Sequence, residues 1–489
     1  MLIAVLCLLL LFAGAALLER SVVPRPARWR RPALAWATLA GFCIAGYAML
    51  LGLTGRPLLA LLLALTSAVA LQRVSNAKYA LLREPLVFSD FALIPQVLRH
   101  PRLYYADLMQ QARTWLLALP VIALLGLWFW LEPALPAPPW RLALLLGGPG
   151  LLFALPWTPL LGPALRRAAV RALPAPGALD AVERLGLGAS LLLALLRWLD
   201  TPPSAAQAPP PLPAVRKDRP APLVLAVQSE SFLDLRRLRD DAPDLPNLAR
   251  AQARALAWGP LGVPAIGAYT MRTEYAFLTA TPNRAIGFDA FDPYLRADRH
   301  PLPALPAALA MAGWKTLFVH PHVPEFFRRH KVMPALGFDH LVTEEAFEGA
   351  ERIGPYVSDA ALTTELLRRM AAEPDPCFLF AVTMENHGPW RPGRLPGLEQ
   401  EAAIYGQHLV HADAMLGRLL DGLEASGRPW ILCFFGDHPP ILRSIGDPVP
   451  DTRSDYLLLT SSATAGGPAR EIDVAELGAL LRREVAALS

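Results

Sequence analysis

Ile431-Leu432-Cys433-Phe434-Phe435-Gly436-Asp437-His438 is the stretch on which the fold of the second half turns. An apolar run suited to a buried strand passes at once into a glycine, a carboxylate and an imidazole. Three other runs have the same form. Leu223 to Val227 leads into Ser229-Glu230-Ser231, Thr316 to Val319 into His320-Pro321-His322, and Phe378 to Met384 into Glu385-Asn386-His387. Ligands of open α/β sheets sit outside the carboxyl ends of the strands. As strands of one parallel sheet, these runs would bring four polar clusters to a single edge, which is the pattern of an active site. Helix-like stretches at Leu302–Ala312, Asp359–Ala372 and Glu401–Ala425 alternate with them, as a parallel sheet wrapped by helices requires.

Outward from this region the composition changes. Of 489 residues, 54% are hydrophobic and 18% charged, against roughly 45–50% and 25% in soluble domains, and most of the apolar excess lies before residue 200. Leu2–Leu18, Ala33–Leu53, Leu58–Leu71, Trp115–Leu131 and Leu142–Trp157 read as membrane spans, for which about 20 apolar residues are needed. The third is short, and Arg56 stands so close behind the second that the two form a tight hairpin. The first lacks the basic start of a cleaved signal and reads as a retained helix. Thr201 to Pro222, with Pro202-Pro203 and Pro209-Pro210-Pro211, reads as a semi-rigid spacer. The expected organisation is a transmembrane domain of about five helices at 1–160, a juxtamembrane helix and linker at 161–221, and a catalytic domain at 222–489.

Charge bears on topology and partners. Arg20, Arg25, Arg28, Arg30 and Arg31 follow the first span. Arg83, Arg99, Arg102 and Arg113 lie between the third and fourth, and Arg166, Arg167, Arg171 and Arg184 follow the fifth. The positive-inside rule assigns all three groups to the cytoplasm, and with five spans the C-terminal half would join them. A sixth crossing at Leu185–Leu199, interrupted by Arg197, would place that half outside; the same segment also suits an interfacial helix. A formal net charge of +4, with no basic stripe, gives no case for nucleic acid. The four cysteines show no CxxC spacing. Cys377 and Cys433 could pair only if their strands were neighbours, and two buried free thiols is the favoured reading.

Glu230, Asp437 and His438 offer donors for a hard to borderline divalent ion such as Mn, Mg or Zn. Adjacent Asp437 and His438 can reach one ion if the turn after Gly436 is tight, although Gly-Asp-His-Pro-Pro is equally ordinary turn composition. Gly267 to Tyr275 supplies two hydroxyls, Thr270 and Thr273. A hydroxyl becomes a nucleophile once a base or metal removes its proton, and free N–H groups at a helix start favour an anion. An ordinary threonine N-cap is the competing reading. His320, His322, Arg329 and His387 could complete a phosphate pocket, since arginine clamps phosphate oxygens and histidine protonates a leaving oxygen. Arg328 to Lys331 also reads as a solvated helix face.

The order Ser229-Glu230-Ser231-Phe232, Gly267-x-x-Thr270-x-x-x-Glu274-Tyr275, Phe326-Phe327-Arg328-Arg329 with Leu336-Gly337-Phe338-Asp339, Asn386-His387-Gly388-Pro389 and Gly436-Asp437-His438 resembles the lipoteichoic acid synthases and their sulfatase-like relatives in the alkaline phosphatase superfamily. Glu84-Pro85-Leu86-Val87-Phe88-Ser89-Asp90 resembles a segment before that family's fourth helix. The resemblance implies an N-terminal polytopic α-helical membrane domain plus a C-terminal α/β sulfatase-like (alkaline phosphatase-like) domain. It implies one divalent ion of the manganese type, with Mg or Zn as alternatives, held by Glu230, Thr270, Asp437 and His438. Thr270 matches the nucleophile, Arg329 and His387 the residues that hold a phosphoglycerol group, and His320 a pocket histidine. Two positions depart from the pattern: His322 stands where an aspartate is expected and Phe327 where a tryptophan is. Both bear on the substituent of the phosphate and leave the metal ligands intact.

The implied activity is transfer of phosphoglycerol or a similar substituted phosphate from a membrane phospholipid donor to an envelope glycan acceptor. The implied location is the cytoplasmic membrane, multi-pass, with the catalytic domain extracytoplasmic or periplasmic, and this placement is preferred to the arginine count. Two alternatives stand beside it. One is a sulfate or phosphate ester hydrolase, against which the threonine counts, since a sulfatase wants a cysteine or serine there. The other is a non-catalytic protein of capsule or envelope assembly, against which the retained Glu230, Thr270, Asp437 and His438 count.

Overall fold

Long apolar runs build the first unit, Met1–Pro202, and alternating strands and helices build the second, Pro203–Ser489. The structure is a computed structural model and describes residues 2–26, 30–99, 112–135, 139–204, 210–215, 218–446, 451–463 and 466–488. Arg28, Arg102 and parts of the proline-rich spacer lie outside the described residues.

The first unit contains α1 (Leu2–Leu18), α2 (Ala33–Thr54), α3 (Pro57–Leu82), α4 (Asp90–Arg99), α5 (Ala112–Leu131), α6 (Pro139–Ala154), α7 (Gly162–Ala172), α8 (Ala178–Leu185) and α9 (Leu187–Asp200). Among the described residues, four segments are long and apolar enough to cross a membrane: Leu2–Ser21, Ala33–Thr54, Pro57–Leu82 and Trp140–Trp157. The apolar helix at Ala118–Leu131 is shorter. The third span is longer than its apolar run suggests, because polar side chains along α3 find partners. Gln72 Nε2 and Asn76 Nδ2 donate to Ser21 O at 2.9 and 2.7 Å, and Ser75 Oγ accepts from Leu86 N at 3.1 Å. The α2–α3 hairpin is tight, as the position of Arg56 implies. Gly55 takes a φ of 67°, and the Glu132 carboxylate caps α3 by accepting from Leu58 N and Leu59 N, each at 2.8 Å. The Glu84–Asp90 motif folds around Lys78, whose Nζ lies 2.9 Å from Glu84 Oε1 and 2.7 Å from Asp90 Oδ2.

No single helix spans Leu185–Leu199. Gly186, at a φ of 85°, ends α8, and α9 has 14 residues. At about 1.5 Å per residue that is roughly 21 Å, short of the ~30 Å hydrocarbon core. The break has a packing cause: a Cβ on Gly186 would stand 2.2 Å from Glu19 Oε2. Glu19 is buried, paired with Arg31, and accepts from Gly188 N at 3.0 Å.

The second unit runs β1 (Leu223–Ser229), α10 (Pro246–Gln252), β2 (Ala257–Gly262), α11 (Thr270–Thr279), α12 (Tyr294–Ala297), α13 (Leu305–Met311), β3 (Lys315–Val319), α14 (Arg329–Ala335), β4 (His340–Val342), β5 (Arg352–Ile353), β6 (Tyr356–Val357), α15 (Asp359–Ala372), β7 (Cys377–Val382), α16 (Glu401–Ala425), β8 (Trp430–Gly436), β9 (Ser454–Thr460), β10 (Ile472–Asp473) and α17 (Val474–Leu488). Eight strands form one sheet in the order β10-β2-β9-β8-β1-β7-β3-β4. Only β9 runs antiparallel to its neighbours. Both faces are covered, which is why the strands read as unbroken apolar runs. Leu223, Leu225, Leu379, Leu432 and Phe434 share one core with Leu366, Leu416 and Leu420 of α15 and α16. On the opposite face Phe277 of α11 lies 4.5 Å from Phe435 and 5.7 Å from Phe380 between ring centroids.

The register places the four strand ends level. Ser229 pairs with Gly436, Gln228 with Val382, and Val319 with Ala381. All four polar clusters therefore leave the sheet at one edge. Cys377 and Cys433 sit on strands that flank β1 on opposite sides, so the condition for their pairing fails and all four cysteines are free.

Candidate active site

Three site residues stand directly beside strained corners. Ser231, Tyr269 and the pair Phe327-Arg328 have φ values of 53°, 63°, 52° and 59°, and they adjoin Glu230, Thr270 and Arg329. A non-glycine residue in this region costs on the order of 1 kcal/mol or more and persists where its surroundings over-determine it. At Ser231 those surroundings are explicit: its N–H donates to Asp437 Oδ1 at 2.8 Å and its hydroxyl to Glu230 Oε1 at 2.8 Å.

Glu230, Asp437 and His438 form one buried cluster. His438 Nε2 lies 3.2 Å from Asp437 Oδ2 and 3.6 Å from Glu230 Oε1. Asp437 Oδ1 accepts from the N–H of both Ser231 and His438, whereas buried Oδ2 has no hydrogen bond. Burial, with the Asp437 charge beside it, pushes the Glu230 carboxyl up to about 8. Two carboxylates and an imidazole with an unsatisfied inward oxygen fit a divalent cation by donor chemistry. The turn is as tight as two adjacent ligands require, since a Cβ on Gly436 would stand 2.3 Å from Phe232 O.

Thr270 opens α11 and is almost fully buried. The two threonines differ in what binds them. Thr273 Oγ1 donates to Asp437 O at 2.7 Å and its side chain is fully enclosed. Thr270 precedes it by three residues, so both lie on the same face of α11, the face that meets the Asp437 segment. Gly267 N donates to Pro439 O at 3.1 Å and joins the same two loops. At Gly267, with φ of 64°, a Cβ would stand 2.2 Å from Ile441 Cγ1.

Arg329 is buried, with no solvated face, and Glu274 is its partner. Its Nε lies 3.2 Å from Glu274 Oε2 and its Nη2 binds Oε1, while Tyr294 donates to Oε2 at 2.8 Å. Nη1 lies 2.9 Å from His320 Nε2, and His320 Nδ1 lies 3.0 Å from Val382 O. These partners assign the tautomer: Nδ1–H donates to the carbonyl and Nε2 accepts from Arg329. Burial and the Arg329 charge hold His320 well below the usual histidine range, so it is neutral. Arg329 still has two N–H groups beyond these three bonds, and its charge acts on Glu230. His322 packs its ring 6.0 Å from His320 and 5.3 Å from Phe326, and Phe327 lies under the Arg329 guanidinium at 5.3 Å. His387 is partly buried, with Nδ1 2.8 Å from Gly388 O. Burial lowers its pKa, and the Asp437 charge reaches it.

Glu385, on the same strand end as His387, has different partners. It binds His408 and His411 of α16 and forms a second buried cluster. Sequence reasoning missed both histidines; the available signal was their spacing of three on a helical stretch.

The family model described as Sulfatase matches residues 222–470. The chain belongs to the sulfatase family. Its sequence is 36% identical over 444 residues to the capsular polysaccharide biosynthesis protein RkpI of Rhizobium meliloti, covering 87% of this chain and 82% of that protein. It is 32% identical over 250 residues to a putative cyclic beta-1,2-glucan modification protein of the same organism, covering 48% of this chain and 38% of that one. Among solved structures, the lipooligosaccharide phosphoethanolamine transferase A of Neisseria meningitidis is similar with a TM-score of 0.58 at 11% identity, covering 98% of this chain and 95% of that chain. That likeness is one of fold. It joins a helical membrane unit to a sulfatase-like α/β unit, as in this sulfatase-family chain, and agrees with the resemblance that the motif order carries.

Proposed function

We propose that the protein is a membrane-anchored, metal-dependent phosphotransferase. It moves a substituted phosphate, phosphoglycerol or a group of similar size, from a phospholipid donor to an envelope glycan through a phosphothreonine at Thr270. The observation that carries this reading is the convergence of the Glu230–Asp437–His438 cluster with the start of α11 through the Thr273–Asp437 bond. The names of the two Rhizobium relatives, one given to capsular polysaccharide biosynthesis and one to cyclic beta-1,2-glucan modification, agree with a glycan acceptor.

Glu230, Thr270, Asp437 and His438 would hold the divalent ion, of the Mn, Mg or Zn type. When bound, it lowers the pKa of the threonine hydroxyl and neutralises phosphoryl oxygens. Thr270 Oγ attacks phosphorus, and the bond from phosphorus to the lipid glycerol oxygen breaks. The proton lost by Thr270 is returned to that leaving oxygen through His387, which is neutral at pH 7 because burial lowers its pKa. In the second half the acceptor hydroxyl gives its proton to His387 and attacks the same phosphorus, and the threonine oxygen leaves. Arg329, fixed by Glu274 and His320, offers its remaining N–H groups to a non-bridging oxygen, and neutral His320 keeps that charge undiminished. His322 and Phe327 shape the space for the substituent.

Full-length protein incubated with labelled phospholipid should carry a phosphodiester adduct on the peptide containing Thr270. An adduct on Thr273, or transfer with full efficiency in Thr270→Ala, overturns the assignment. The catalytic unit is proposed to be extracytoplasmic. All four native cysteines are buried, so a thiol introduced by Ala487→Cys should react with an impermeant reagent from outside the cytoplasmic membrane. Reaction only after permeabilisation would restore the placement given by the arginine count.

A further inference from the structure

Glu385 Oε1 lies 2.8 Å from His408 Nδ1 and 2.6 Å from His411 Nδ1. The two histidines are three residues apart and share one face of α16. Glu385 Oε2 accepts from Asp359 N at 2.7 Å. Asp359, at the start of α15, is 1% exposed, and neither of its carboxylate oxygens has a hydrogen bond. His408 is fully buried and its Nε2 is likewise without a partner. Burial and the neighbouring Glu385 charge push the Asp359 carboxyl well above the usual range. Burial would also raise Glu385, but the hydrogen bonds from His408 and His411 overcome it and hold that carboxyl at about 2.

We propose that Glu385, His408 and His411 form a second divalent-cation site, distinct from the Glu230–Asp437–His438 cluster, with Asp359 as a further carboxylate donor. Two imidazoles and a carboxylate are a zinc-type donor set. The three donor atoms lie within 4.8 Å of one another. Charge points the same way. Glu385 and Asp359 are both buried, and the Arg394 guanidinium binds the main-chain oxygens of Glu385 and His387. A buried excess of carboxylate is costly unless a cation offsets it. Zinc bonds of about 2.0–2.1 Å set tetrahedral ligand atoms roughly 3.3 Å apart. The cluster therefore opens by about half an ångström when an ion replaces the N–H protons that Glu385 shares with the two histidines. Such an ion ties α16 and the start of α15 to Glu385 in the loop after β7, two residues before His387. Its role is to hold that loop, and it stands whether or not Thr270 is a nucleophile.

The test uses full-length protein in detergent, stripped by chelation, incubated with zinc chloride, freed of excess ion and analysed for bound zinc. Wild type should hold two equivalents, Asp437→Asn one, His411→Gln one, and the double variant none. His411 is the residue to change because it is partly exposed and glutamine keeps a polar end there. X-ray absorption of zinc-loaded Asp437→Asn should show two imidazole ligands, whereas zinc-loaded His411→Gln, with its ion at the Glu230–Asp437–His438 cluster, should show one. If Asp437→Asn does not fold, Glu230→Gln serves the same purpose. A folded Asp437→Asn or Glu230→Gln protein that binds no zinc overturns the proposal, whatever the wild type holds. So does a stoichiometry that His411→Gln leaves unchanged.

Discussion

Two carboxylate–histidine clusters sit at the same edge of one sheet, and they differ in what their atoms already bind. In the Glu230–Asp437–His438 cluster main-chain N–H groups orient Asp437, the Ser231 hydroxyl orients Glu230, and Asp437 Oδ2 is left without a hydrogen bond. In the Glu385–His408–His411 cluster both Glu385 oxygens accept N–H groups, two from imidazoles and one from the main chain. The first stands beside a helix start bearing Thr270 and a buried arginine. The second packs between helices. On the proposed reading, similar side chains make a reactive centre in one place and a fastening in the other, and what distinguishes them is the neighbourhood.

The sharpest way to break this contrast is at the nucleophile. Thr270→Ala should lower phosphate transfer by about 10⁴-fold or more with an unchanged melting curve, whereas His411→Gln should lower it far less. Equal losses from the two variants would erase the distinction. Next in size is Arg329→Met, which leaves Glu274 charged in a fully buried position. Breaking a buried pair from one side costs about 3–5 kcal/mol, and the loss should appear as a lower melting temperature. Arg329→Met combined with Glu274→Met should recover part of it, because no charge is then stranded.

The clusters should also differ in their response to pH. Glu230 is raised, so near neutrality the metal-free protein carries a proton there that an ion must displace. Ion affinity at that site should rise about tenfold per pH unit towards pH 8 and flatten above it. Glu385 is held low and is already ionised, so it adds no such rise above pH 5; the proton displaced at the second site is that of His411, which its bond to Glu385 holds above the ordinary histidine value. Calorimetric titration of His411→Gln, in which only the first site is complete, should show the rise towards pH 8; an affinity independent of pH between 6 and 8 would contradict the assignment. Thr273→Ala removes one hydrogen bond to Asp437 O, worth about 1 kcal/mol of stability, and should cost about tenfold in transfer. The smallest effect belongs to His322→Asp. It should shift the preference among phospholipid headgroups by a few-fold at unchanged metal content, measured as a ratio of transfer rates.

Legibility followed covalent proximity. Ser229-Glu230-Ser231 and Gly436-Asp437-His438 could be read because each cluster is contiguous and each follows a run too apolar to be anything but a buried strand. Their meeting required only that the strands be parallel, and β1 and β8 are direct neighbours. The Glu385 cluster could not be read in the same way. His408 and His411 are on a helix whose orientation over the sheet is set by Leu409, Leu416 and Leu420 in the core, and no local pattern names Glu385 as their partner. Arg329 was legible as a residue and not as an arrangement. Its bond to Glu274 depends on the left-handed corner at Phe327 and Arg328, which an aromatic–basic run does not announce. In the helical unit, α3 outran its apolar stretch because the partners of Gln72 and Asn76 lie on another segment, at Ser21.

Ser231 and Asp437, joined by one hydrogen bond, are 206 residues apart in the chain. The register between β1 and β8 is what brings them together. A nascent chain that has emerged only as far as β7 therefore has half of a chelating site and nothing to close it. On the proposed metal reading, the ion can be chosen only after β8 has been synthesised and seated, and its identity is set by the ion pool of whichever compartment receives the finished domain.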